Sequence, residues 1–279
     1  MASVLAVAGL ASSACDPNAA IPILPPGAGD IGIFEGTGKC AVRTMQSGAF
    51  SLYLPNGNRQ GQTGCTPPFP VVSWGNGTFN TPQSTNTFLG TVASHGFTVV
   101  AANTTNSNGA LGGGGQTIVD DGVALGLMQP NAGTQACTMG YSQGGSAAVR
   151  GALLAKALCT VTIAAEINIT GPANATGLTR VILLGGGADT IAPVANNSQV
   201  LFNQAGAPKV LAVIRGIDHL QVLQGTGGNG GQYRGFAIAA LVLNLRTGDP
   251  DFAAASRLYN NDGIRGDARI QSFTRTGTF

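Results

Sequence analysis

The chain has 279 residues, 43% hydrophobic and only 9% charged, against about 25% charged in an average soluble domain, which excludes an intrinsically disordered polyelectrolyte and favours one large core. Fourteen Lys and Arg against twelve Asp and Glu leave a net charge of +2, too weak and scattered to track a phosphate backbone, so nucleic acid is excluded as a main partner. No apolar run approaches the roughly 20 residues that span a bilayer, so no membrane insertion is expected.

In chain order, Ser3 to Ala14 is a small-residue apolar stretch that resembles the tail of a secretory signal without its basic start. Ser12 stands where a lipoprotein would carry Leu, three residues before Cys15, which argues against a lipid anchor. The expected organisation is an N-terminal arm over 1–39 and a single domain over 40–279. Residues 40–54 alternate and turn at Gln46-Ser47-Gly48, which predicts two antiparallel strands. From Pro70 the pattern changes to strands at 70–74, 97–102, 136–141, 161–165, 181–184 and 210–214, separated by helices at 84–94, 116–128, 142–158 and 194–205. A last apolar helix spans 232–245. Strands alternating with helices predict an α/β fold, a mostly parallel sheet with helices on both faces, and active groups at the carboxyl ends of its strands.

Five cysteines, at 15, 40, 65, 137 and 159, cannot all pair within one chain. Cys137 and Cys159 each stand just before an apolar strand, and adjacent parallel strands would bring them within bonding reach. Cys40 opens the first hairpin strand and Cys65 follows its partner, which makes 40 with 65 the second pair and Cys15 the odd one. Disulfides fit secretion to the extracellular space or the periplasm.

Gly140-Tyr141-Ser142-Gln143-Gly144 lies between a predicted strand and a predicted helix, the context in which G-x-S-x-G marks a nucleophile on a strained turn. A serine hydroxyl needs a base, and the chain has two histidines. His95 sits at the entering end of a strand, away from the catalytic edge. His219 follows the strand at 210–214 and falls on the edge where Ser142 lies, so it is the expected base. Asp189 follows the strand at 181–184 at the same edge and is the expected carboxylate; Glu166 is a lesser candidate. Asp120 and Asp121 fall inside a helix, Asp249 and Asp251 follow the last one, and Asp218 adjoins His219 too closely to align. An oxyanion requires two N–H donors, expected from Gln143 and from Asn76 in the loop Trp74-Gly75-Asn76-Gly77-Thr78, with Gly75 or Gly77 as alternatives. Trp74, Gly75, Gly77, Tyr141 and Ile191 are the expected substrate contacts. Neither metal-ligand spacing nor a nucleotide-binding fingerprint occurs, so no cofactor and no metal are expected.

The segment Val92-Ala93-Ser94-His95-Gly96-Phe97-Thr98-Val99-Val100, the run Asp189-Thr190-Ile191-Ala192-Pro193-Val194 and the loop Gly216-Ile217-Asp218-His219 resemble those of cutinase-like polyester hydrolases of the α/β-hydrolase superfamily. That group includes polyethylene-terephthalate hydrolases, close to the dienelactone-hydrolase-like branch. The resemblance covers about residues 40–245 and implies an α/β-hydrolase fold without a lid domain. It also implies a secreted serine esterase, with Ser142, Asp189 and His219 as its triad and Asn76 with Gln143 at its oxyanion positions. The polyester-degrading branch usually carries an aromatic residue where Asn76 stands, Met where Gln143 stands, and a Trp in the region that here reads Ala165-Glu166-Ile167-Asn168-Ile169-Thr170. The substrate implied is an ester or polyester and the expected state a monomer. The alternatives are a general carboxylesterase or lipase on soluble esters and a non-catalytic binding protein.

Overall fold

The computed structural model describes residues 29–107, 118–168 and 173–279. The signal-like stretch and Cys15 lie outside the described residues. A short helix α1 (Gly32–Glu35) precedes a hairpin of β1 (Cys40–Ser47) and β2 (Phe50–Asn58). Then follow β3 (Phe69–Gly75), α2 (Asn86–Ser94), β4 (Thr98–Ala102), α3 (Ile118–Leu127), β5 (Ala132–Tyr141) and α4 (Gln143–Ala155). The second half carries β6 (Cys159–Ile163), β7 (Val181–Gly186), α5 (Ser198–Gln204), β8 (Lys209–Ile214), α6 (Tyr233–Leu245), α7 (Phe252–Tyr259) and β9 (Ile270–Thr276).

One sheet has the order β1-β2-β4-β3-β5-β6-β7-β8-β9. Its six central strands, β4 to β8 in that order, are parallel, while β1, β2 and β9 join through antiparallel pairs. Helices cover both faces, so the central strands read as continuous apolar runs. On β7, Ile182 and Leu184 enter a core with α2 and α6, whereas Val181 and Leu183 enter a core with α4 and α5. Helix α6 is buried along nearly its whole length, which explains its Phe-Ala-Ile-Ala-Ala-Leu-Val-Leu sequence.

Cys137 and Cys159 are register partners on β5 and β6 and are joined by a disulfide with a Cα separation of 4.7 Å. A second disulfide joins Cys40 and Cys65. Both pairs are those expected. The folded body begins before residue 40, because Ile31 and Phe34 are fully buried in the main core, which shortens the expected arm. Helix α7 and strand β9 extend it past the last expected helix. No described helix is long and apolar enough to cross a membrane.

Candidate active site

Ser142 occupies the turn between β5 and α4 with φ 55° and ψ −124°, a region that a residue with a Cβ enters only under constraint. The constraint is visible in its neighbours. Its N–H donates to Ile163 O at 3.0 Å, and its carbonyl accepts the N–H of Gly145 at 2.8 Å and of Glu166 at 3.0 Å. The turn is thereby riveted to the end of β6. A Cβ on Gly140 would strike the backbone of Gly144, and one on Gly144 would strike the carbonyl of Gly75, so both must be glycine.

His219 arrives from the loop after β8 and Asp189 from the loop after β7. The Asp189 carboxylate divides its work. Oδ1 accepts the N–H groups of Ile191 at 2.9 Å and Ala192 at 2.7 Å, and Oδ2 faces His219 Nδ1 at 2.8 Å. His219 Nε2 lies 2.8 Å from Ser142 Oγ. Since an ionised carboxylate only accepts, Nδ1 carries the proton and Nε2 is left to accept the serine O–H. Burial pushes the Asp189 carboxyl up, but the hydrogen bonds from His219 and from the two backbone N–H groups outweigh it and hold the group below the usual carboxylate value. All three side chains are buried, and the Tyr141 ring packs on the imidazole with centroids 5.2 Å apart.

Ser142 and His219 open onto a cavity of about 360 Å³ lined besides them by Thr78, Phe79, Asn80, Tyr141, Glu166, Ile191 and Leu220, whereas Asp189 is not among the lining residues. Tyr141 and Ile191, expected as substrate contacts, both line this cavity. Trp74, Gly75 and Gly77 are not among the lining residues. Trp74 is 1% exposed and stands edge-on to Phe88 in the core. A Cβ on Gly75 would meet the backbone of Gly144, and one on Gly77 would meet the Tyr141 ring at 2.7 Å, so both glycines serve close packing around the site.

Asn76 is a further correction. Its N–H, expected to point at an oxyanion, donates to Ser107 Oγ at 2.7 Å. Its side chain accepts from Trp74 Nε1 at 2.9 Å and donates to the carbonyls of Ala102 at 2.8 Å and Thr104 at 3.0 Å. Every polar group of Asn76 that the sequence offered to substrate is therefore spent on holding the loop. The loop instead brings Thr78 and Phe79 to the cavity, and their N–H groups make no hydrogen bond among the described residues. Gln143 is fully buried at the start of α4, where a backbone N–H has no partner within the helix, and it is not among the lining residues.

His219 Nδ1 pairs with Asp189 and not with Glu166, which lines the cavity. His95 lies at the end of α2 with Nε2 3.0 Å from Gly36 O, as a structural cap. Asp249 and Asp251 pair with Lys39, and Asp249 also with Arg246, in a separate cluster. Among the described residues no group of three or more His, Cys, Asp and Glu gathers as a metal site. Sequence reasoning missed Thr78, Phe79, Asn80 and Leu220 as lining residues; the signal available was their place just past residues already singled out. Compared with protein-family models and with curated proteins, the chain finds no match.

Proposed function

We propose that the protein is a secreted serine esterase of α/β-hydrolase architecture that cleaves carboxylic esters through an acyl-enzyme. The observation that carries this reading is the unbroken chain from Asp189 Oδ2 through His219 to Ser142 Oγ, with both contacts at 2.8 Å, on a strand-to-helix turn with positive φ. In this mechanism His219 Nε2 takes the proton of Ser142 as Oγ attacks the ester carbonyl. The negative charge on the carbonyl oxygen is met by the N–H of Gln143 and one N–H of the Thr78–Phe79 turn. Collapse expels the alcohol, which receives its proton from His219. Water then attacks the acyl-serine by the same route.

Bulky or polymeric esters fit the mouth better than a small enclosed metabolite. Phe79, Ile191 and Leu220 frame it at 84%, 54% and 51% exposure, an apolar lip that a bulky chain can cover. Phe79 also supplies an aromatic face that the Ala165-to-Thr170 region lacks. The two disulfides favour an oxidising compartment.

The test is labelling by a fluorophosphonate, together with hydrolysis of short and long p-nitrophenyl esters and product release from an aromatic polyester film. Wild type should be labelled and active, and Ser142→Ala neither. Wild type that stays unlabelled would leave a non-catalytic binding protein. Ester turnover without film release would leave a general esterase.

A further inference from the structure

The lining of the cavity beside Ser142 carries one acidic side chain among aromatic, aliphatic and neutral polar ones. That side chain is Glu166, and no Lys or Arg is among the described lining residues. Its backbone is fastened on both sides to the nucleophile turn: its N–H donates to Ser142 O at 3.0 Å, and its carbonyl accepts the Ser146 hydroxyl. Its carboxylate Oε1 accepts the N–H of Asn168 at 2.5 Å. The next two residues are tied in turn to Asn197, whose Oδ1 accepts the N–H of Ile167 and the side-chain amide of Asn168. The carboxylate thus has a set place relative to the reacting oxygen and is only 5% exposed as a residue.

An acidic side chain in the wall of an esterase cavity selects, because an anionic acyl chain placed there meets like charge in a low-dielectric surround. We infer that Glu166 makes this site discriminate by charge, favouring esters whose acyl chain is neutral or cationic and rejecting those that carry a carboxylate. The inference rests on the esterase reading and names its substrate class. Glu166 takes no part in the bond-making steps; it sets which acyl chain can settle against Ser142.

The experiment compares three p-nitrophenyl esters of similar length, read by nitrophenolate release: the methyl ester of adipic acid, the free adipic half-acid, and 6-aminohexanoate. In wild type, kcat/KM for the half-acid should fall about tenfold or more below the neutral ester, the size expected of one nearby like charge, and the amine should match or exceed it. Glu166→Gln should shift the anionic-to-neutral ratio up and the cationic-to-neutral ratio down, opposite movements that loss of packing would not produce, and Glu166→Asp should preserve the wild-type order. A wild type that hydrolyses the half-acid as fast as the neutral ester would decide against the inference even if the variants fold poorly. Equal ratios in wild type and Glu166→Gln, or no penalty for the half-acid in wild type, would overturn the inference while leaving the esterase reading intact. Failure of wild type on all three esters would remove both.

Discussion

Asn76 fastens four groups at once: Ser107, the Trp74 indole and two carbonyls, one on the last residue of β4 and one just beyond it. Removing its side chain strands the indole N–H and both carbonyls in a buried place, where each lost partner carries its own desolvation cost. Asn76→Ala should therefore destabilise the fold by about 2–4 kcal/mol, read as a fall of roughly 5–10 °C in Tm by calorimetry. A variant of unchanged Tm would mean that the loop does not depend on this residue. The sequence drew attention to the right loop and the wrong residue in it for a physical reason. Which N–H of a turn faces a cavity depends on its tertiary partners, and Ser107 lies 31 residues further on.

Strand β5, the serine turn and helix α4 behave as a unit because backbones approach where glycines stand. Gly144→Ala would push a Cβ into the Gly75 carbonyl, and no side chain there can yield. It should abolish fluorophosphonate labelling and lower Tm together; normal labelling at unchanged Tm would show that the turn has room. The parallel strands and the helices between them were legible because each is an apolar run bounded by turn residues. Ser142, Asp189 and His219 were legible because they follow three such strands at one edge. Strand β9 was not. Its buried positions include Ile270 and Phe273, three apart, and a register shift interrupts its pairing with β8, so no alternation shows. Helix α7 did carry a readable pattern, with Ala254, Ala255, Leu258 and Tyr259 buried at helical spacing. The two disulfides were legible because strand adjacency sets where cysteines can meet.

Across the whole molecule, His95 joins α2 to the segment before β1. Burial lowers its pKa from 6.5, and the Gly36 carbonyl with Asp251 and Asp249 only partly offsets this, while Lys39 adds to the lowering. The unfolded chain takes up a proton near pH 6.5 and the folded one does not, so below that pH the unfolded state binds more protons and stability falls until the folded pKa is reached. Tm should thus drop between pH 7.5 and 5.5 more in wild type than in His95→Gln; parallel curves would count against it. The Cys137–Cys159 bridge acts at the same scale but on a different quantity. It crosses between β5 and β6 five residues before Ser142, about 16 Å down the strand at 3.3 Å per residue, so the tether sits at the far end from the chemistry. A tether so placed governs survival and not turnover. Under a mild reductant, the surviving molecules should keep their full specific activity while the half-life of the population at elevated temperature shortens, ageing without slowing.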